Sequence, residues 1–371
     1  MSSQEFTREP ESSGGIVPEW MRDPSKFQRQ LMIIVLSLIL IRLAIYFLVE
    51  FAAIFQPLLL AIFICYLILP IHHGIVRMGA PSKVAFIILF LLIMGLFYGV
   101  GVVIYGNVRT IEDNWDSKYN AGIQQLATTI DKQVKTWFPQ ATMDFRKLLD
   151  VPTQEEIERI INGVVGTFLS FFTWLLVILV YVIFLVTERE DFPKRVESAF
   201  GESRSTEVSE VLKSINSAIA QYFSTKTALS IVTALLTMAV LLVPFWKVDF
   251  VLTWGLLTFL FNYIPYIGSV IAGAFPVLLC FITYPTELWK GFVVAVCLFT
   301  IQQVIGNYVE PRLMGKKLHL SPLLIIIALS FWGVIWGIIG MILAVPLLII
   351  VQIVLSHIKE TKPIAILMSS E

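Results

Sequence analysis

The residues of this chain best suited to chemistry are mostly uncharged, and they lie where long apolar runs are broken. One break reads Phe261-Asn262-Tyr263-Ile264-Pro265-Tyr266-Ile267-Gly268-Ser269 and offers an amide, two phenols and a hydroxyl. Gln302, Gln303, Asn307 and Glu310 follow at the end of the next run. Gln303, Asn307 and Glu310 fall at i, i+4 and i+7, so a regular helix presents them on one face. Amides and phenols both donate and accept hydrogen bonds, which suits them to a polar solute. Asn262, Tyr263, Pro265, Tyr266, Gly268, Gln302, Gln303 and Asn307 are therefore the candidate solute-binding residues. For Asn262 the alternative is a helix cap, and for the tyrosines an interface position. Glu310 has two readings, an ion pair with Arg312 or a site for a coupling cation, and the ion pair is the simpler.

Catalytic patterns are absent: there is no His-Glu-x-x-His, no Gly-x-Ser-x-Gly and no phosphate-binding glycine loop. The reading is of a non-enzyme without cofactor or metal, and without a nucleotide site any transport is secondary or passive. His72-His73 are adjacent, a poor arrangement for sharing one metal on a helix. Cys65, Cys280 and Cys297 sit inside apolar runs without metal-ligand spacing and read as small buried hydrophobes.

The elements that must position these residues are membrane helices. Of 371 residues 57% are apolar and 15% charged, and mean hydropathy is +0.81. A soluble domain carries about 25% charged residues. Net charge is zero, so no basic field exists to hold nucleic acid. Six runs fit one crossing each: Leu31–Val49, Phe51–Ile71, Val84–Gly106, Ile160–Thr187, Thr227–Trp246 and Gly291–Val309. Two more are too long for one crossing and are punctuated near the middle. Phe250–Thr286 contains Pro265, Gly268, Gly273 and Pro276, and Leu318–Ile358 contains Gly333, Gly337, Gly340 and Pro346. Each reads as a broken helical hairpin, over 250–286 and 318–356, made of two thin crossings or a pair that turns back within the membrane.

If both hairpins return to the side they enter from, 17 Lys and Arg fall on one face and nine on the other, with Arg42 inside a span. That asymmetry puts the N- and C-termini in the cytoplasm. The organisation is a disordered cytoplasmic tail over 1–30, three transmembrane helices over 31–106, an extracytoplasmic helical segment over 107–159, a transport core over 160–357 and a cytoplasmic tail over 358–371. Residues 1–30 have no apolar core of their own and do not resemble a cleavable signal peptide.

In the outer segment, Val108, Ile111, Trp115, Tyr119, Ile123, Leu126, Ile130, Val134 and Trp137 form the stripe of one long amphipathic helix ended by Pro139. It is expected to pack on a second helix or a neighbouring subunit. Thr153-Gln154-Glu155-Glu156 has the form of a capping box. Val208, Leu212, Ile215, Ile219 and Phe223 mark a second amphipathic helix, expected at the membrane surface before the chain enters at Thr227. Pro311 is expected to end the helix that carries Glu310, and Arg312, Lys316 and Lys317 to form an inside anchor. Arg42 lies about 11 residues deep, too far in to snorkel easily, and an ion pair with Glu50 is the expectation. Gly95-x-x-x-Gly99 and Gly333-x-x-x-Gly337 would allow close helix approach.

Three stretches carry a resemblance. They are Phe261-Asn262-Tyr263-Ile264-Pro265-Tyr266-Ile267-Gly268, then Tyr308-Val309-Glu310-Pro311-Arg312-Leu313-Met314-Gly315, then Leu320-Ser321-Pro322-Leu323 with Trp336-Gly337-Ile338-Ile339-Gly340-Met341-Ile342-Leu343-Ala344-Val345-Pro346-Leu347 downstream. In order and spacing the chain resembles the autoinducer-2 exporter-like permeases of bacterial inner membranes, across about residues 30–357. The resemblance implies export of small polar solutes, including the signalling furanone autoinducer-2 of quorum sensing. It implies sodium/proton antiport in some members, and homo-oligomers, as pentamers, with a transport path in each protomer.

The sequence therefore reads as an all-α polytopic membrane protein: six transmembrane helices, two broken hairpins and an outer helical segment. It is expected to be a multi-pass inner-membrane exporter of a small polar solute, with alternating access through the hairpins. Its partners would be that solute, the lipid bilayer, further copies of the chain, and a proton or sodium ion for coupling. The alternatives are a sodium/proton antiporter using Glu310, Glu287 or Asp249, and a non-transporting scaffold. The topology is checked by labelling intact cells from outside with an impermeant thiol reagent. Asn120→Cys should react and Lys316→Cys should not; reaction at 316 would favour single long spans.

Overall fold

A computed structural model describes residues 24–140, 152–188, 192–246, 248–314 and 320–369. The N-terminal tail up to residue 23, residues 141–151 of the outer segment and the Lys316–Lys317 anchor lie outside the described residues. By its contacts the chain divides into two units, Met1–Ala53 and Ile54–Glu371.

The first unit contains α1 (Pro24–Glu50). Its side chains from Leu31 to Val49 are almost all apolar and largely exposed, as a lipid-facing helix requires. Arg42 is exposed too, and among the described residues no ion pair joins it to Glu50. The expected pair fails on geometry. Eight residues along a helix are about 12 Å of rise and about 80° of rotation.

The second unit is helical throughout its described length apart from turns and one isolated bridge, Leu320 to Ser369. Its elements are α2 (Ala52–Arg77), α3 (Ser82–Asp113), a π-helical turn (Trp115–Asn120), α4 (Ala121–Trp137), α5 (Gln154–Glu188) and α6 (Phe192–Leu241). Then come α7 (Val251–Phe261), α8 (Ile267–Thr283), α9 (Leu288–Val304), a second π turn (Ile305–Val309), α10 (Glu310–Met314), α11 (Pro322–His357) and α12 (Lys362–Met368). Among the described residues seven helical stretches are long and apolar enough to cross a membrane. Six correspond to the six single-crossing runs, and the seventh is α11, the second of the two long runs.

Both long runs turn back on themselves. The first reverses over Asn262–Tyr266, and Tyr266 takes a positive φ of 61° there, a conformation few non-glycine residues adopt. At 1.5 Å per residue α7 rises about 16 Å, half of a hydrocarbon core about 30 Å thick, so this arm alone is too short for a full crossing. The second reverses at Gly337, whose φ of 62° and ψ of −142° lie outside the helical range. Its arms pack antiparallel: Ala328, Leu329 and Trp332 of the first meet Met341, Ala344 and Leu348 of the second. They come closest at Gly340, where a Cβ would lie 2.0 Å from the Trp332 carbonyl oxygen. Pro276 and Pro346, which the sequence marks as breaks, sit inside α8 and α11 with their rings buried against neighbours.

Three other expectations are corrected. The surface helix and the span after it are one 50-residue helix, α6, because no proline and no glycine after Gly201 interrupts it. Pro311 does not end its helix, since α10 continues to Met314; the π turn just before it places Pro311 at the start of a new helical segment, where a missing N–H is tolerated. A Cβ added at Gly95 or Gly99 would meet nothing within 4 Å, whereas at Gly101 it would meet Phe168 of α5.

The capping box forms as expected: the Thr153 N–H donates to Glu156 Oε2 at 2.9 Å and the Glu156 N–H to Thr153 Oγ1 at 3.4 Å. The core of the first layer joins α2, α3 and α5 through Ala61, Ile68, Leu89, Ile178 and Val182. His72 stacks on Phe86 at 4.0 Å, with the Ser82 hydroxyl 3.3 Å from Nε2. The hairpin geometry is checked by thermal stability in detergent. Gly337→Ala should lose about 1–3 kcal/mol through its φ, and Gly340→Ala about as much through overpacking. Gly273→Ala, where a Cβ has nothing within 4 Å, should lose nothing.

Candidate functional site

The middle of α6, the tip of the first hairpin, the α9–α10 segment and the second hairpin line a half-open cavity of about 490 Å³. This lies within the range of ligand pockets, about 300–1,000 Å³. Asn262, Pro265 and Tyr266 come from the hairpin tip, and Gln302, Gln303, Asn307 and Glu310 from the helix after it. Tyr222 and Lys226 enter from α6, and Ile325, Val345 and Ile349 of α11 supply an apolar wall. Tyr263 and Gly268 are not lining residues. The Tyr263 hydroxyl shares a 2.7 Å hydrogen bond with Thr227 of α6. Gly268 packs so closely that a Cβ would lie 1.7 Å from the Phe261 carbonyl oxygen, so it serves the turn.

Polar side chains of α6 hold the hairpin tip. The Asn262 amide donates to Ser230 Oγ at 2.8 Å, one helical turn beyond the Thr227–Tyr263 bond. Asn262 thus spends one donor inside the protein while still reaching the cavity. Gln303 and Asn307 hydrogen-bond each other along one helix face, as their i, i+4 spacing dictates.

Glu310 does not share that face as regular spacing predicts. The π turn adds about one residue to the coil, which rotates everything after it by about 100°. Glu310 therefore meets Lys226 of α6, with Nζ 2.5 Å from Oε1. Arg312 is two residues on, roughly the opposite side of a helix, and its guanidinium lies 3.7 Å from the centre of the Tyr308 ring. The expected Glu310–Arg312 pair is replaced by these two contacts.

Lys226 is the residue that sequence reasoning missed. It stands at the edge of a charge-free run and reads as a boundary charge. Its helical phase was the available signal, because Ile219, Phe223 and Lys226 share a face, and an amphipathic stripe does not place a lysine among its apolar residues without a partner. The Tyr222 hydroxyl beside it is buried and has no hydrogen-bond partner in the described structure.

On the far side of the first hairpin, the outer segment docks on its open end. Trp115 and Tyr119 pack with Ile123, Ile157, Phe250, Leu279 and Ile282. Asp249 there pairs with Lys118 and accepts from the Tyr119 hydroxyl at 3.3 Å. Burial raises the Tyr119 phenol well above its ordinary pKa, and the Asp249 charge and hydrogen bond push the same way, so it remains a donor. Glu287 pairs with Lys290 at 2.9 Å. All three acidic groups considered for cation coupling thus hold a lysine. Among the described residues no three His, Cys, Asp or Glu come together as a metal site.

Two hairpins that turn back on themselves beside a half-open cavity with polar and apolar walls, among long apolar helices, define a polytopic membrane transporter. The model of the AI-2E family of transporters matches residues 33–360, and the chain belongs to that family. It is 30% identical to the AI-2 transport protein TqsA of Escherichia coli K12 over 341 residues, covering 86% of this chain and 91% of that one. A putative transport protein of Borreliella burgdorferi is 28% identical over 85% of this chain and 84% of its own length. The putative transport protein YrrI of Bacillus subtilis is 26% identical, over 82% and 86% respectively.

The charge pair carries a stability prediction. Lys226→Met leaves Glu310 without a partner in a low-dielectric site, which costs about 3–5 kcal/mol. The double variant Lys226→Met, Glu310→Leu should recover most of that loss in thermal unfolding, because it removes both charges together.

Proposed function

We propose that this protein exports a small, uncharged, polyhydroxy solute of the autoinducer-2 type across the bacterial inner membrane, with both termini cytoplasmic. The observation that carries the reading is the composition of the cavity wall. Asn262, Gln302, Gln303, Asn307 and Tyr222 supply donors and acceptors in excess of what the protein uses, while Lys226 and Glu310 neutralise each other. A neutral wall of that kind exchanges water for solute hydroxyls without paying for an unpaired charge. The similarity to an AI-2 transport protein points to the same solute class.

Broken helices at membrane depth are the usual place for such a site, because irregular backbone there survives only against protein or a cavity. The hairpins would move against α6 to open the cavity alternately to the two sides. A homo-oligomer, pentameric by resemblance, with one path per protomer, belongs to the proposal, as does coupling to a proton or sodium gradient. Sodium/proton antiport is the second reading. It has less support, since Glu310, Asp249 and Glu287 all carry lysine partners.

Transport is tested in proteoliposomes with autoinducer-2 as the solute, with and without imposed proton and sodium gradients. Replacing Gln303 and Asn307 together by Ala should leave yield and oligomer unchanged, since both side chains are exposed and neither belongs to the apolar core. Loss of their hydrogen bonds to solute, about 1–3 kcal/mol, corresponds to a fall in apparent affinity of about ten- to a hundredfold. Wild-type flux in this variant would remove the cavity from the transport route and favour a scaffold.

A further inference from the structure

A line of buried hydroxyls continues past the point where the cavity stops. Ser230, Thr233 and Thr237 follow Lys226 on α6 at i+4, i+7 and i+11, so all four share one face. They are 0%, 0% and 2% exposed. On α7 the facing line is Gly255, Thr258 and Asn262, at i, i+3 and i+7. Both ends of that line meet α6. Asn262 bonds Ser230, and a Cβ at Gly255 would lie 2.5 Å from Met238 Sδ. Thr258 stands between them, is 0% exposed, and its hydroxyl has no hydrogen-bond partner in the described structure.

Close packing of two helices does not require this. Thr233 satisfies its own hydroxyl on the Leu229 carbonyl, but the Thr258 hydroxyl is left bare, a destabilising arrangement that valine of the same shape would relieve. From Lys226 to Thr237 the line runs about 16 Å away from the cavity. It ends against the apolar cluster of Leu241, Val248, Cys280, Val294 and Leu298. Next in the chain after Val248 is Asp249, whose carboxylate holds Lys118 at the docked outer segment.

We infer that solute leaves the cavity between α6 and α7, along the hydroxyls of Ser230, Thr233, Thr258 and Thr237, and that the structure is the state in which this path is shut. The Asn262–Ser230 bond closes it at the cavity end and the Leu241–Val294 cluster closes it at the far end. Hydroxyls suit the task because each donates and accepts, so a polyhydroxy solute can exchange one for the next without meeting a charge. The inference rests on the transport reading above and adds residues that the cavity does not contain.

The test uses the full-length chain in proteoliposomes, with Cys65, Cys280 and Cys297 replaced by Ala. Thr233→Cys, Thr237→Cys and Leu235→Cys are exposed separately to 2-(trimethylammonium)ethyl methanethiosulfonate, and modification is followed by mass. Leu235 faces outward from α6 and is the lipid-side control. A path that opens to water in the working protein makes positions 233 and 237 react at least tenfold faster than 235. Equal rates at all three overturn the inference. In the otherwise native chain, Thr258→Val should raise the thermal midpoint and lower autoinducer-2 flux at least tenfold; a higher midpoint with wild-type flux overturns it as well. The labelling arm needs no solute. If wild-type protein does not carry autoinducer-2 and 233 and 237 still react fast, the path stands and the choice of solute falls. If both arms fail while the Gln303, Asn307 variant loses flux, the cavity stands and the path falls.

Discussion

A lysine held inside a membrane protein must bring its counter-charge with it, and the placement of the whole cavity follows from that requirement. Lys226 is 3% exposed, and its ammonium is held by Glu310 of α10. Within about one turn of Lys226, Thr227 holds Tyr263 and Ser230 holds Asn262. A short stretch of α6 therefore fixes the α10 helix by charge and the tip of the first hairpin by hydrogen bonds. Interactions of this kind are directional and strengthen where water is excluded. Apolar packing against lipid-like neighbours is neither, so the polar contacts decide which faces meet.

Long elements were legible in the sequence because the bilayer leaves few choices. A run of about 20 apolar residues reads as a span, and a run near twice that length with glycine and proline at its middle reads as a hairpin. Which residue makes the turn was not legible. Gly337 and Pro346 both weaken a helix, but only the three-dimensional structure shows that the chain reverses at 337, where φ and ψ leave the helical range, and that Pro346 stays helical. The candidate site was legible as a set of residue types. Asn262, Pro265, Tyr266, Gln302, Gln303 and Asn307 do come together. Their partners were not legible, because a hydrogen bond between residues 32 apart, or an ion pair between residues 84 apart, leaves no local pattern. The π turn was hidden for a related reason: spacing rules assume 3.6 residues per turn, and one extra residue redirects Glu310.

The two hairpins solve the same problem in different ways. In the first, a five-residue turn spends polar side chains on α6 and accepts a positive φ at Tyr266. In the second, a single glycine reverses the chain and apolar arms close on each other. The first tip is thus tied to α6 by a few exchangeable hydrogen bonds, whereas the second hairpin meets its neighbours, Phe261 and Ile264 of the first among them, through apolar contacts. The outer segment adds a third restraint, docking Trp115 and Tyr119 on the open end of the first hairpin.

The length of α6 has a mechanical meaning. Fifty residues of uninterrupted helix form a rod about 75 Å long, more than twice the hydrocarbon thickness. Lys226 lies two thirds of the way along it, and its first half extends past any membrane that the second half can span. Such a rod transmits torque: a rotation imposed on the projecting end arrives at Lys226, Ser230 and Thr233 as the same rotation, with no hinge between to absorb it. The protein therefore carries a built-in lever arm, whose long end projects beyond the span and whose short end bears the residues that hold the first hairpin.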